Sequence, residues 1–212
     1  MFSDLIISLD LIGVAVFAAT GGLVASRKQM DLIGFGMMAT FTGVGGGTLR
    51  DVILDRPVFW LTDQRYLIVC LVVAAILYFF AHRVQKRYIL LVWGDAIGLA
   101  AFAVLGANIA LQSGTAPLLA IVMGMMTATF GGLTRDIVSG ETPLLLKQEI
   151  YATAALLSAG VFTGLAMLEM PLFLSASAGV LSGFGLRAGA IYFSWTLPRY
   201  KSRAGRSYDE EQ

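Results

Sequence analysis

The sequence is poor in the residues from which most protein chemistry is built. Its 212 residues include one cysteine, Cys70, and one histidine, His82. A single cysteine excludes an internal disulfide framework, and Cys70, set in an apolar run, reads as a small buried hydrophobe. His82 stands beside Arg83 at the end of an apolar stretch and reads as an interfacial residue. There is no His-Glu-x-x-His, no paired cysteine and no nucleophile beside a base, so neither a metal site nor a catalytic set is expected. The chain reads as a conduit and not an enzyme. Charge is scarce too, at 14% of residues, where soluble domains hold about 25%. The net charge is +1, and no basic patch with interleaved aromatics exists, which excludes a nucleic-acid partner. Residues 1–8 lack the basic region and the small-residue cleavage site of a signal peptide, so the first apolar stretch is expected to be retained as a helix.

What the chain has in abundance is apolar surface. Hydrophobic residues make up 57%, and the mean hydropathy is +0.77. A soluble fold of this size could not hide so much, so the bilayer is the solvent. Seven stretches approach the span of about 20 apolar residues that a membrane helix needs: 5–26, 32–54, 66–81, 88–111, 117–139, 150–168 and 172–197. The expected class is all-α, a polytopic protein with one transmembrane domain over 1–198 and a polar cytoplasmic tail over 199–212. With the N-terminus outside, the cytoplasmic side collects Arg27, Lys28, Arg83, Lys86, Arg87, Lys147, Arg199, Lys201, Arg203 and Arg206, while the outer connectors hold Arg56 and Arg65. That bias predicts N-out, C-in.

The chain repeats itself. Asp10, Ile12, Gly13, Phe17 and Ala18 recur as Asp95, Ile97, Gly98, Phe102 and Ala103, an offset of 85 residues. The same offset carries Gly46-Gly47-Thr48-Leu49-Arg50-Asp51 onto Gly131-Gly132-Leu133-Thr134-Arg135-Asp136 without a gap. Each unit, about 5–82 and about 88–168, contains three helices. An odd number inverts the second copy in the membrane, leaving a seventh helix over about 172–197 outside the repeat.

Two constellations stand at equivalent places in the two units. Gly45-Gly46-Gly47 lies inside the second span and Gly131-Gly132 inside the fifth. Each glycine costs a helix about 1 kcal/mol against alanine, so such clusters are points where a span can kink or unwind around a polar pathway. The competing reading is close helix packing, as in Gly43-x-x-x-Gly47. The segment is no nucleotide loop, lacking the last glycine of a dinucleotide fingerprint and the lysine of a phosphate loop. Arg50-Asp51 and Arg135-Asp136 follow the glycines. Neighbouring helical side chains diverge by about 100°, so the two members of each doublet need not pair with each other. Depth instead puts Asp10 level with Arg50, and Asp95 level with Arg135. Such charges read either as rings at the ends of a pathway or as structural ion pairs. Arg187 in the seventh helix has no repeat counterpart and is expected to snorkel to the cytoplasm, contact with the pathway being the alternative. Gly160-x-x-x-Gly164, Gly179-x-x-x-Gly183 and Gly185-x-x-x-Gly189 offer faces for close approach within or between chains. Trp60, Trp93 and Trp195 fall near span ends, where an aromatic belt is expected.

Gly45-Gly46-Gly47-Thr48-Leu49-Arg50-Asp51-Val52, followed by Arg56-Pro57-Val58-Phe59-Trp60 and echoed by the Gly-Gly-Leu-Thr-Arg-Asp at 131–136, resembles the bacterial branch of the trimeric intracellular cation (TRIC) channel family. Those sequences are also grouped as glycine-transporter-domain membrane proteins. The resemblance covers about residues 5–197. It implies a bacterial inner-membrane homotrimer with one pore per subunit, kinked at Gly45, Gly46, Gly47, Gly131 and Gly132, and passing monovalent cations, chiefly potassium. The resemblance carries the charged motif onto Arg50, Asp51, Arg135 and Asp136, and the expected pore and gate set is completed by Thr48, Thr134, Asp10 and Asp95. Animal members carry a Lys-Glu-Val motif and basic residues for phosphoinositides; this chain has no Lys-Glu-Val, and its 112–116 connector has no basic residue. No cofactor is expected beyond permeant potassium or sodium ions and bound lipid, and the partners are membrane lipids and further copies of the chain. The alternatives are a secondary transporter for glycine or another small amino acid and, without transport, a membrane scaffold.

Overall fold

The computed structural model describes residues 2–83, 86–147 and 149–198, with only the backbone described over 2–9. The polar tail expected over 199–212 lies outside the described residues. Among the described residues eight α-helices follow one another: α1 (Phe2–Arg27), α2 (Leu32–Ile53), the single turn α3 (Phe59–Thr62), α4 (Arg65–Phe80), α5 (Arg87–Gln112), α6 (Pro117–Val138), α7 (Ala152–Met167) and α8 (Leu172–Phe193). Local chemistry sets several ends. The Asp31 carboxylate accepts the Gly34 N–H at 2.8 Å and caps α2. Pro117 opens α6, where its missing N–H costs nothing. Ser194 closes α8 in the left-handed conformation, at φ 55°.

Among the described residues six helices are long and apolar enough to cross a membrane, and α7, with 16 residues, is a shorter apolar helix. The seven expected spans therefore appear as α1, α2, α4, α5, α6, α7 and α8. Large aliphatic side chains such as Ile33, Leu118 and Leu181 point outward, while alanines such as Ala18, Ala100 and Ala159 fill the interior. That is the distribution of a protein whose solvent is hydrocarbon, where small residues bring helices together.

The two units are α1, α2, α4 and α5, α6, α7. The turn α3 is echoed at the same offset by a 3-10 turn at Leu144–Leu146. Their relation is two-fold, because contacts exchange under the offset. Phe17 stacks on its own counterpart Phe102, with centroids 5.2 Å apart and planes within 6°. Gly13 lies against the Phe102 ring, and Gly98 against the Phe17 ring. Where α2 crosses α6, Gly46 faces the carbonyl of Thr127 and Gly131 faces the carbonyl of Thr42. A residue i touching j while the counterpart of j touches the counterpart of i is the signature of a two-fold axis.

This crossing revises one expectation. Helical hydrogen bonding runs unbroken through Gly45, Gly46 and Gly47 and through Gly131 and Gly132, so neither helix is unwound there. The glycines serve contact: a Cβ on Gly46 would stand 2.0 Å from the Thr127 oxygen, and one on Gly131 would stand 2.4 Å from the Thr42 oxygen. α8 lies outside the two-fold pair and packs on α7 and α5. Gly183 fits against Ser158, whose hydroxyl donates to the carbonyls of Ala100 and Gly179. Gly160, Gly164 and Gly185 face open space. Cys70 is buried beside Gly43, and His82 is exposed.

Candidate functional site

The charged residues of the two units form two polar clusters. Asp10 and Thr20 mark their levels on α1, about 15 Å apart at 1.5 Å per residue.

In the first cluster Arg50, near the end of α2, donates to Asp51 Oδ1 through Nε at 2.8 Å and Nη2 at 2.7 Å. Asp51 Oδ2 accepts the Phe59 N–H at 2.9 Å, which ties α3 back to α2. The Arg50 guanidinium also lies over the Phe59 ring, 5.7 Å from its centroid. Asp10 Oδ2 accepts from the Tyr66 hydroxyl at 2.7 Å. Thr48, half-buried, donates to the Val44 carbonyl and accepts from the Trp60 indole N–H.

The second cluster repeats this plan with one difference. Arg135 Nε donates to Asp136 Oδ1 at 2.8 Å, and Asp136 Oδ2 accepts the Leu144 N–H at 3.0 Å. Arg135 Nη1, however, also reaches Asp95 Oδ1 at 2.7 Å and Thr20 Oγ1 at 3.0 Å. Arg135 thus ties α6 to α5 and α1, and it is fully buried. Asp95 Oδ2, Arg135 Nη2 and the Tyr151 hydroxyl are buried without a hydrogen-bond partner. They gather at Gly132: a Cβ there would stand 2.8 Å from the Tyr151 oxygen, 3.3 Å from Asp95 Oδ1 and 3.5 Å from Arg135 Nη2.

The geometry meets some sequence expectations and corrects others. Asp95 and Arg135 share a level and form an ion pair. Asp10 bonds Tyr66 and forms no ion pair with Arg50. The doublets Arg50-Asp51 and Arg135-Asp136 do pair internally. A backbone N–H eight residues on fixes each carboxylate, and the long arginine stem curls back to meet it. Arg187 does not snorkel. It is 1% exposed, donates to Glu149 Oε2 at 2.6 Å and to the Ile150 carbonyl, and lies over the Tyr151 ring. With a counter-charge inside the fold, the guanidinium has no need of the headgroups. Thr134, half-buried, donates to the Phe130 carbonyl. It also lies 3.8 Å from the position of a Cβ on Gly45. No group of residues suited to a metal ion occurs among those described.

Sequence reasoning missed Tyr66, Tyr151, Thr20 and Glu149. The two tyrosines were findable, since they too are separated by 85 residues. The offset also relates two contacts between connectors. Lys28 lies 3.8 Å and Arg27 3.2 Å from Glu141, and the counterpart pair, Ser113 and Arg56, is joined by a hydrogen bond of 2.9 Å.

Comparison with known proteins places this arrangement. The family model described as glycine transporter matches twice, over residues 7–83 and 92–169, one match per three-helix unit. A UPF0126 membrane protein of Vibrio cholerae is 38% identical over 93% of this chain and 84% of its own length. The UPF0126 inner membrane protein YadS of Escherichia coli is 36% identical over 91% and 94%. Among solved structures, the TRIC trimeric intracellular cation channel orthologue from Rhodobacter sphaeroides is 49% identical, with a TM-score of 0.87 over 89% of this chain and 98% of its own. A prokaryotic TRIC channel solved in 0.5 M KCl is 30% identical, with a TM-score of 0.84 over 93% and 100%. The two family matches, the apolar helices and the shared fold make this chain a multi-pass bacterial inner-membrane protein that belongs to the glycine transporter family, the family of the TRIC channels.

Proposed function

We propose that the chain is one subunit of a homotrimeric channel for monovalent cations, chiefly potassium, with one pore per subunit. The observation that carries this reading is the pair of polar clusters at opposite ends of a two-fold bundle. Each sets two carboxylates against one guanidinium: Asp10 and Asp51 with Arg50, Asp95 and Asp136 with Arg135. An arginine keeps its proton at ordinary pH, so alone it would repel a cation. A surplus of carboxylate reverses that field. The similarity to TRIC cation channels points the same way.

In this reading the pathway runs among α1, α2, α5 and α6, with Gly45, Thr48 and Thr134 on its wall. Gly46 and Gly131 are where α2 and α6 meet and part, while Gly47 faces the Phe59 ring and Gly132 faces Tyr151 and Asp95. Closure falls at the second cluster, since Arg135, Asp95 and Tyr151 are sealed while Asp10 is partly exposed. The lysine and arginine bias puts the first cluster outside and the second at the cytoplasm. The family model's description favours a second reading, a carrier for glycine. A carrier holds a substrate carboxylate with a cation or with the free N–H groups of a broken helix, and here both cluster arginines are already engaged by carboxylates of the chain and α2 and α6 run unbroken through their glycines.

Reconstitution separates the two. Potassium currents in planar bilayers, without glycine uptake into sealed liposomes, are expected. Uptake that saturates with glycine, without unitary currents, would overturn the channel. Cross-linking in native membranes is expected to stop at a trimer.

A further inference from the structure

We propose that Tyr66 and Tyr151 are positioning residues of the pathway: each is the alternative partner that lets the aspartate of its cluster, Asp10 or Asp95, stand free of the arginine. The proposal rests on the channel reading above.

The two clusters are the same four residues at an offset of 85, Asp10, Arg50, Asp51 and Tyr66 against Asp95, Arg135, Asp136 and Tyr151. They are made differently. In the first, the tyrosine hydroxyl holds the aspartate at 2.7 Å, and the arginine bonds only its neighbouring Asp51. In the second, the arginine holds the aspartate at 2.7 Å, and the tyrosine hydroxyl stands beside the Asp95 carboxylate without a well-formed hydrogen bond, although Tyr151 is 1% exposed. A buried hydroxyl without a well-formed bond is costly, so this one is available to complete a bond to Asp95 in another arrangement. It has little distance to cover. Tyr151 Oη, Asp95 Oδ1 and Arg135 Nη2 all lie within 3.5 Å of the one point where a Cβ on Gly132 would sit.

An inverted repeat thus displays two states of one device in a single molecule. Aspartate on tyrosine leaves the first and second helices of a unit untied; aspartate on arginine ties them, as α5 is tied to α6 here. Transfer of Asp95 from Arg135 to Tyr151 would give the second cluster the arrangement that the first already has. Arg135 would keep Asp136 and Thr20. The carboxylate exchanges one donor for another, and no proton need be moved.

The test uses full-length protein in planar bilayers with symmetric potassium chloride. Tyr151→Phe deletes the alternative partner, so the ratio of open to closed time is expected to fall about fivefold, the worth of about one hydrogen bond, with unitary conductance unchanged. Tyr66→Phe sends Asp10 to Arg50 and is expected to act in the same direction. Asp95→Asn added to Tyr151→Phe weakens the tie and is expected to restore opening, which a merely structural tyrosine would not allow. Alkylation of Thr134→Cys in a Cys70→Ser background, by a water-soluble maleimide, reports the same opening without current. The rate is expected to fall about fivefold with Tyr151→Phe. A wild-type protein that passes no current overturns the channel reading, and the alkylation rates then decide the switch alone. Unchanged gating and unchanged alkylation in both tyrosine variants, each eluting as the wild type does, overturn the switch. If one variant fails to assemble, the other decides.

Discussion

Alanine at Gly46 and alanine at Gly45 are adjacent changes with opposite predicted signs. A methyl at Gly46 would lie 2.0 Å from the Thr127 oxygen and 3.0 Å from its carbonyl carbon. Both are backbone atoms inside α6, so no side chain can swing away. Ordinary contact begins at 3.4 Å, so α2 and α6 must separate. Overpacking of this kind costs about 1–3 kcal/mol, and the separation required puts Gly46→Ala at the upper end. Against it stands a gain of about 1 kcal/mol for alanine over glycine in a helix, leaving a net loss of about 2 kcal/mol. At Gly45 the nearest atom, Thr134 Oγ1, is 3.8 Å from the new Cβ. Only the gain remains there, so Gly45→Ala should stabilise by about 1 kcal/mol. The two variants should differ by about 3 kcal/mol, or about 6–12 °C in Tm for a chain of this size. Size-exclusion elution after graded heating in one detergent measures it. Gly131→Ala, 2.4 Å from the Thr42 oxygen, should behave as Gly46→Ala does. If Gly45→Ala proves the least stable of the three, or all three melt together, the glycines act through helix flexibility and not through the crossing.

Arg135→Gln should cost about 3–5 kcal/mol, because it leaves buried carboxylates unpaired. Arg50→Gln should cost less, since Asp10 keeps Tyr66; melting curves rank them, and current–voltage curves of oriented channels should rectify in opposite senses. Thr20→Val removes an acceptor for Arg135 Nη1. It should destabilise by about 1–3 kcal/mol while raising the alkylation rate of Thr134→Cys, since the second cluster is then held by one tie fewer. Glu141→Gln breaks only the partly exposed contacts to Arg27 and Lys28. It should shift stability by less than about 1 kcal/mol, and melting in low and high salt should show the difference vanish with screening.

The helices and their two-fold relation were legible because hydropathy and an 85-residue offset survive in the sequence without any knowledge of contacts. The pairing of Asp95 with Arg135 was legible from depth alone, since residues near a common membrane face can meet. The same argument misplaced Asp10: depth assigns a level and not a partner, and Tyr66 shares that level. The glycines could not be read to the end. A residue that permits unwinding and one that permits contact are the same residue, and the choice lies in what stands opposite. Here that is a pair of carbonyls, on Thr127 and Thr42, in helices far away along the chain. Arg187 misled for a related reason: its counter-ion, Glu149, sits on the connector before α7, 38 residues earlier, and no periodicity links the two.

The two-fold relation holds at the centre and fails at the ends, and the failures have named causes. Phe17 against Phe102 and the two glycine–carbonyl contacts are symmetric because both partners survive in both units. Thr20, by contrast, corresponds to Leu105, which can accept nothing from Arg50. Phe59 corresponds to Leu144, so only the first cluster has a ring beneath its arginine and against its tyrosine, at 5.7 and 4.6 Å. Lys28 and Glu141 attract, where their counterparts Ser113 and Arg56 share a single hydrogen bond. Two of these differences act in one direction. Thr20 adds a tie to Arg135, and the Lys28–Glu141 contact joins the connector after α1 to the segment after α6 at the same end of the bundle. The third sets both Arg50 and Tyr66 against the Phe59 ring, and there Asp10 bonds the tyrosine. A perfectly symmetric molecule would have no reason to shut one end before the other. A few substitutions at equivalent positions suffice to choose the end, while the shared crossing keeps both arrangements within reach of the same backbone.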